Sequence, residues 1–338
     1  MPPDLTVELG PVRLRHPVVC GSGEHVSTLD QLKSAVDAGA SAVVAKSANE
    51  SDAARRQWDA IAAVFVDGDR REVAADAPGA SILNRSGLVP QPWDDWVATL
   101  AEADAYARER DSWVAASLIT GDPAALPDLA RDVERSGVRW LELNLSAPHA
   151  TEAVPGAIQR PGDPQRVEEF VRAVRDAVSI PLSVKLGAEQ VDVVASATAA
   201  RAAGADVLVI MGRHMGFLPD PETRAPVLGS FGGYSGPWAL PLSLRWVAKT
   251  RLALGDQIPI VGTNGARDGL DVARFLLAGA SAVQVATSVI AEGFGAIARM
   301  VDELTTYLER QGVNARDVIG EAADRSISYE EAALRSRT

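Results

Sequence analysis

Four times along the chain a helical stretch stops at a small residue plus glycine, and a short apolar run begins directly after it. The copies are Ala38-Gly39-Ala40 before Ala42–Lys46, Ser136-Gly137-Val138 before Trp140–Ser146, Ala203-Gly204-Ala205 before Val207–Met211, and Ala278-Gly279-Ala280 before Val283–Thr287. Glycine just past a helix takes the left-handed conformation that ends it. The runs that follow are rich in Val, Ile and Leu, which suits strands covered on both faces. Ile-Pro breaks introduce two more, Leu182–Leu186 and Ile260–Thr263, and Val18–Gly21 and Trp113–Leu118 complete a set of eight. Helical patterns over Thr28–Ala38, Pro123–Ser136, Pro164–Val178, Gln190–Ala203, Pro241–Ala253 and Asp268–Ala278 separate the strands, with Asp163 as a cap and Pro164 in a first turn. Strands alternating with helices imply a parallel sheet in an α/β chain, and eight of them imply a closed (β/α)8 TIM barrel. The rival, an open doubly wound sheet, needs Gly-x-Gly-x-x-Gly after its first strand, and Gly21-Ser22-Gly23 lacks the third glycine. A length of 338 residues fits one barrel domain over 1–338 with loop insertions.

Barrels of this kind carry their sites at the carboxyl ends of the strands. The polar residues predicted there are Ser22, Lys46-Ser47, Ser117, Asn144 and Ser146, Lys185, Arg213-His214, Thr263-Asn264-Gly265 and Ala286-Thr287-Ser288. Lys46 and Lys185 each end an apolar run. A lysine facing a barrel mouth loses hydration unless an anion or polar ligand receives it. A buried structural ion pair is the plain alternative for either one; two lysines beside Asn and Ser point to ligand binding. Small residues at Gly262–Gly265 and Ala286–Ser288 let backbone N–H groups approach a phosphate at the ends of the last two strands.

A single cysteine, Cys20, excludes an intramolecular disulfide, a four-cysteine iron–sulfur cluster and a cysteine-built zinc site. It points to a reducing, cytoplasmic setting. The net charge of −12 and the lack of any Lys/Arg block longer than two argue against nucleic acid as a partner. No run approaches the ~20 apolar residues a membrane span needs, and Met1–Leu9 does not read as a signal peptide.

Five segments carry a family resemblance. Glu142-Leu-Asn-Leu-Ser-Ala-Pro-His149 resembles the Asn-Leu-Ser-Cys-Pro-Asn/His segment of class 1 dihydroorotate dehydrogenases and of the FMN-binding domain of dihydropyrimidine dehydrogenase. Val43–Ser47 resembles their lysine-bearing second strand, and Ile82–Leu88 their Asn-x-x-Gly-Leu segment. Gly232–Gly236 resembles their Gly-Gly-Leu-Ser-Gly loop, and Gly279–Thr287 their eighth-strand phosphate segment. The order is the family's, from about Leu5 to about Leu308. The resemblance implies FMN, held by Gly21, Ser22, Lys46, Ser47, Asn84, Asn144, Lys185, Ser235, Gly236, Gly265 and Thr287, with Thr263, Asn264 and Ala286 completing the phosphate turns. It places Asn84 and Asn144 at the substrate or ring edge, and Lys185 against the ring. It implies hydride transfer between a substrate carbon and flavin N5, a homodimer, and a lid over about 147–163 with an insertion over about 215–235.

Two departures qualify that expectation. The family's acid–base Cys, or Ser in membrane-associated relatives, is Ala147 here, and a methyl group moves no proton. The family's Asn-Thr or Asn-Ser pair after strand six is Gly212-Arg213. The expected substrate is therefore a dihydro or unsaturated heterocycle, or a related small molecule, other than dihydroorotate. His149, Ser146 or a water, or no protein acid at all stay open for the proton, with Lys46 as a separate catalytic candidate and His25 and His214 as further histidines. Arg213, His149 and His214 are candidate substrate contacts, Arg213 through a carboxylate. Electrons pass to or from NAD(P), fumarate or a separate reductase. A flavin-free isomerase or aldolase using Lys46 or Lys185 as a Schiff base, and an FMN-binding protein that has lost catalysis, are the alternatives.

Overall fold

Eight short runs close into one parallel barrel in the computed structural model, which describes residues 2–147, 157–159, 161–190 and 192–335. The strands are β1 (Val18–Cys20), β2 (Ala42–Val44), β3 (Trp113–Ile119), β4 (Leu141–Asn144), β5 (Leu182–Leu186), β6 (Val207–Ile210), β7 (Ile260–Thr263) and β8 (Ala282–Val285). Each pairs in parallel with its neighbours in sequence, and β8 returns to β1 through Val283↔Val18, Gln284↔Val19 and Val285↔Cys20. All eight overlap the expected runs, four of them one or two residues shorter. Lys46 falls just outside β2 because its backbone N–H bonds to Val26 instead of a barrel strand.

The helices that follow are α1 (Leu29–Asp37), α2 (Trp93–Arg108), α3 (Leu126–Arg135), α4 (Pro164–Arg175), α5 (Val193–Ala202), α6 (Leu240–Leu254), α7 (Gly269–Leu277) and α8 (Gly295–Gln311). The glycines of the four repeats have φ of 96°, 89°, 101° and 108°, so each ends its helix in the left-handed region. Asp163 caps α4 by accepting from Arg166 N, with Pro164 at the first position. The capping residues Thr28, Asp192 and Asp268 act likewise on α1, α5 and α7.

Two long helices, α2 and α8, are absent from the six patterns read in the sequence. The buried stripe of α2, Trp96, Leu100, Ala103 and Ala107, is half alanine and gives a weak periodic signal. A second correction concerns 215–235, expected as a loop insertion, and extends to 49–79, where no strand was expected. Both supply strands to a four-stranded antiparallel sheet of His214–Gly216, Gly232–Ser235, Ser81–Arg85 and Ala62–Val66, in that order. Gly-Gly-Tyr-Ser has little intrinsic strand preference. Its pairing with Ile82–Asn84, about 150 positions away, holds it extended. Among the described residues no helix is long and apolar enough to cross a membrane.

One buried ion pair ties the helix layer to the barrel. Asp104 of α2 is 1% exposed and accepts from Val114 N and, at 2.8 Å through each oxygen, from the Arg139 guanidinium. Asp104→Ala takes the carboxylate from that guanidinium, which keeps its bond to Ser112 O, and strands one barrel N–H. It is expected to lower unfolding free energy by about 3–5 kcal/mol, read from urea midpoints; a change under about 1 kcal/mol would mean the pair contributes no more than a surface one.

Candidate active site

The carboxyl ends of the barrel strands surround an open cleft of about 970 Å³. Into it the turns after β1 and β2 bring Ser22, Lys46 and Ser47, β4 brings Asn144, Ser146 and Ala147, and β5 brings Lys185. The far wall holds Arg213, Ser235, Thr263, Asn264, Gly265, Ala286 and Thr287. Asn84 lines an adjoining cavity that shares Ser22, Lys46, Arg213 and Thr287 with the cleft. Gly21 lies at the end of β1, its N–H bonded to Val285 O. Gly236 lines a separate hollow behind Thr287. The structure therefore brings most of the sequence-predicted residues to one rim.

Of the three candidate histidines, two do not join them. His149 lies outside the described residues. His214 stands in the small sheet beside Trp238, with ring centroids 5.3 Å apart, and is not part of the cleft wall. His25 faces a different, largely apolar cavity with Phe294, and burial pushes its imidazole down to about 4, so it is neutral near pH 7. Neither His214 nor His25 is placed to exchange a proton in the cleft.

The floor is a rail of neutral hydrogen bonds. Ser117 and Ser47 hydroxyls meet at 2.8 Å, Asn144 Nδ2 donates to Ser47 Oγ at 3.1 Å, and Asn144 Oδ1 accepts from Ser146 N and Oγ. The Ser146 proton is thereby given to an amide oxygen, which is no base. Ala147 packs with Leu88, Ile119, Ala157 and Ile158 in a small apolar cluster.

The walls are charged, and here lie residues that the sequence reading missed. Lys46 Nζ donates to Glu24 Oε1 and to Ser86 Oγ, both at 2.9 Å, and Ser86 Oγ donates to Glu24 Oε1 at 2.5 Å. Burial raises the Glu24 carboxyl, but the Lys46 and Arg213 charges and the Ser86 bond outweigh it and hold the group well below the usual carboxylate range. The Lys46 ammonium is lowered by burial and by Arg213, with Glu24 opposing. Arg213 donates to Asn84 Oδ1 and lies against Gly233, where a Cβ would come within 2.9 Å of its guanidinium carbon. Lys185 Nζ donates to Gln284 Oε1 at 2.9 Å, and Gln284 Nε2 donates to Glu142 Oε2 at 2.6 Å. Glu24 follows Gly21-Ser22-Gly23 in the first strand-end turn, so the same strand-end rule could have found it. Ser86 sits between Asn84 and Gly87, inside a segment already singled out.

The residues present fit a flavin nucleotide. Gly265 has φ 122°, and a Cβ there would meet Leu240 Cα at 2.5 Å, so this turn is open to a ligand from one side and closed to a side chain on the other. Asn264 Oδ1 is buried without a hydrogen-bond partner among the described residues, and no side chain caps the helix that starts at Thr287. The Asn264 oxygen can accept from a ligand N–H or O–H, the uncapped turn at Thr287 suits a phosphate, and Lys185 supplies a cation toward an electron-rich ring.

The family profile described as Dihydroorotate dehydrogenase matches residues 5–308. The catalytic subunit of dihydroorotate dehydrogenase B (NAD(+)) from Methanopyrus kandleri is 35% identical over 311 residues, covering 90% of this chain and 92% of that protein. The subunit of the same description from Pyrococcus furiosus is 32% identical over 319 residues, covering 94% and 98%. A putative dihydroorotate dehydrogenase A (fumarate) from Solibacter usitatus is 35% identical over 189 residues, 55% of this chain and 60% of that protein.

Proposed function

The chain belongs to the dihydroorotate dehydrogenase family, and from that premise we propose that it moves a hydride between FMN and a carbon–carbon bond of a small acidic substrate other than dihydroorotate. The family's members are FMN-dependent oxidoreductases acting on CH–CH bonds, and this chain is one of them. The observation that carries the substrate reading is the pairing of Ala147, which lines the cleft with a methyl group among apolar neighbours, with Arg213, whose guanidinium is directed to Asn84 at the cleft wall. The first removes the usual proton carrier, and the second adds a planar fork suited to a carboxylate.

Ser22, Ser47, Asn144, Lys185 and the turns Thr263–Gly265 and Ala286–Thr287 would hold FMN. When bound, FMN supplies a two-electron acceptor or donor beside the substrate. Asn84 and Arg213 orient the substrate, and Lys46 balances its charge. The proton falls to Ser86. Its hydroxyl already donates to the Glu24 carboxylate while Lys46 donates into its oxygen. One lone pair is left for a substrate C–H proton, and Glu24 takes the hydroxyl's own proton. The proton arriving at Glu24 adds a positive charge to the cleft as the departing hydride adds a negative one. His149 remains the rival carrier. Relatives named for NAD(+) match along nine-tenths of the chain, which favours a nicotinamide-linked electron partner over fumarate. The homodimer rests on family resemblance, and the cytoplasmic setting on the single cysteine.

A Schiff-base lysine must be free to attack a carbonyl, and both candidates are engaged, Lys46 by Glu24 and Lys185 by Gln284. The test is anaerobic. The purified chain is expected to be yellow, and excess dihydroorotate to leave its flavin oxidised. Rapid bleaching by dihydroorotate would refute the substrate reading, and a screen of acidic dihydro and unsaturated compounds in which none changes the flavin would favour loss of catalysis.

A further inference from the structure

A carboxylate lies inside the barrel where no solvent reaches it. Glu142 of β4 is fully buried. Its Oε2 accepts from Gln284 of β8, and Gln284 in turn accepts from Lys185 of β5. Its Oε1 has no hydrogen-bond partner among the described residues. The amide of Gln284 has only one orientation that works, because an ammonium only donates and a carboxylate only accepts. The three side chains thus form a fixed line from the cleft, where Lys185 and Gln284 are exposed to a ligand, to a charge beneath it that no ligand touches.

Stability does not account for this line. Buried ion pairs gain little over apolar residues of the same size, and an unpartnered carboxylate oxygen is a net cost. Its position accounts for it better. Burial, then the charges of Arg213 and Lys46, work against the Lys185 ammonium, whereas the Glu142 charge supports it. Without the anion, two neighbouring cations and a dry surrounding would favour the neutral amine.

We propose that Glu142 is a positioning residue which acts through Gln284 on Lys185 and so sets the reduction potential of the bound flavin. The proposal rests on the FMN reading above. A reduced flavin carries more negative charge than an oxidised one. The Lys185 cation stabilises it, and the Glu142 anion behind opposes part of that gain while keeping the cation in place. The relay trades some driving force for a lysine that stays charged as pH rises.

The test is the flavin potential of the FMN-loaded full chain, measured by spectroelectrochemistry from about pH 6 to about pH 9, a range around which a buried lysine can titrate. In Glu142→Gln the anion is gone and the side chain keeps its shape. At any pH acidic enough for Lys185 to be charged in both proteins, the reduced flavin is favoured roughly tenfold, about 30 mV for a two-electron couple. The loss of Lys185 charge then sets in at lower pH, and the potential falls away earlier than in wild type. Gln284→Leu leaves both charges and cuts the link, so it moves the alkaline break the same way with a smaller acidic offset. Superimposable curves for wild type and Glu142→Gln, whatever happens to thermal stability, overturn the proposal; if Glu142→Gln does not fold, Gln284→Leu decides it by the same criterion. A wild-type chain that stays colourless after FMN addition overturns the flavin reading and this proposal with it. A yellow chain with unmoved curves overturns the proposal alone.

Discussion

A valine in place of Gly265 is expected to cost the protein its flavin. The residue has φ 122°, a region closed to β-branched side chains, and its missing Cβ would lie 2.5 Å from Leu240 Cα and 2.6 Å from Leu240 N. Those atoms are backbone at the start of α6 and cannot rotate away. The turn must open, and with it the spacing between Thr263–Gly265 and Ala286–Thr287 that suits a phosphate. Backbone strain alone is worth about 1–3 kcal/mol, and the lost phosphate contacts add to it. FMN affinity should fall by at least two orders of magnitude, on the scale of about 1.4 kcal/mol per tenfold. Asn264→Gly is the control. Asn264 has φ 70°, where glycine is at ease, so this variant should fold and lose only the contact of the Asn264 side chain, a far smaller drop in FMN affinity than that of Gly265→Val. Fluorescence titration of apoprotein with FMN measures both. Tight binding by Gly265→Val would show that this turn does not hold the nucleotide.

The second large effect concerns the proton. Ser86→Ala removes the only cleft hydroxyl whose proton goes to a carboxylate, among the described residues. With the substrate that reduces the flavin fastest in a screen, single-turnover reduction should slow by about 10²–10⁴, the usual worth of a positioned acid or base, while FMN stays bound. Ser86→Cys should recover part of it. Glu24→Gln should slow reduction as well, because the hydroxyl then has no base behind it. The pH profile adds a sign. Glu24 is held below its ordinary value, so its ionised form, and the stability of its pairing with Lys46, is present above the unfolded carboxylate value of ~4.3 and is lost only as pH falls through the lower folded value. Reduction by the wild type should therefore show no acid limb between about pH 6 and about pH 4.5. If Ser86→Ala reduces normally and His149→Ala does not, the proton belongs to His149.

Read without coordinates, the chain already discloses its barrel. The glycine stops and the Val/Ile/Leu runs are local signals, since the left-handed residue after a helix and the doubly covered strand each leave their mark within a few positions. The strand-end rule then gathers Lys46, Asn144, Lys185 and Gly265 with no knowledge of distance. The small antiparallel sheet left no such mark. Neither did the partners of the two lysines: Glu24 lies 22 positions from Lys46, Ser86 40, and Gln284 99 from Lys185. His214 and His25 failed for the converse reason, because sequence places a residue near a strand end but not the direction of its side chain.

What the sequence determined by itself is the (β/α)8 architecture and the rim on which the strand-end residues gather, both matters of local conformation. Only the tertiary structure decided which charges face one another. An ion pair or a relay such as Glu142–Gln284–Lys185 depends on side chains meeting across the barrel interior, and that distance is fixed by closure of the sheet rather than by any spacing along the chain.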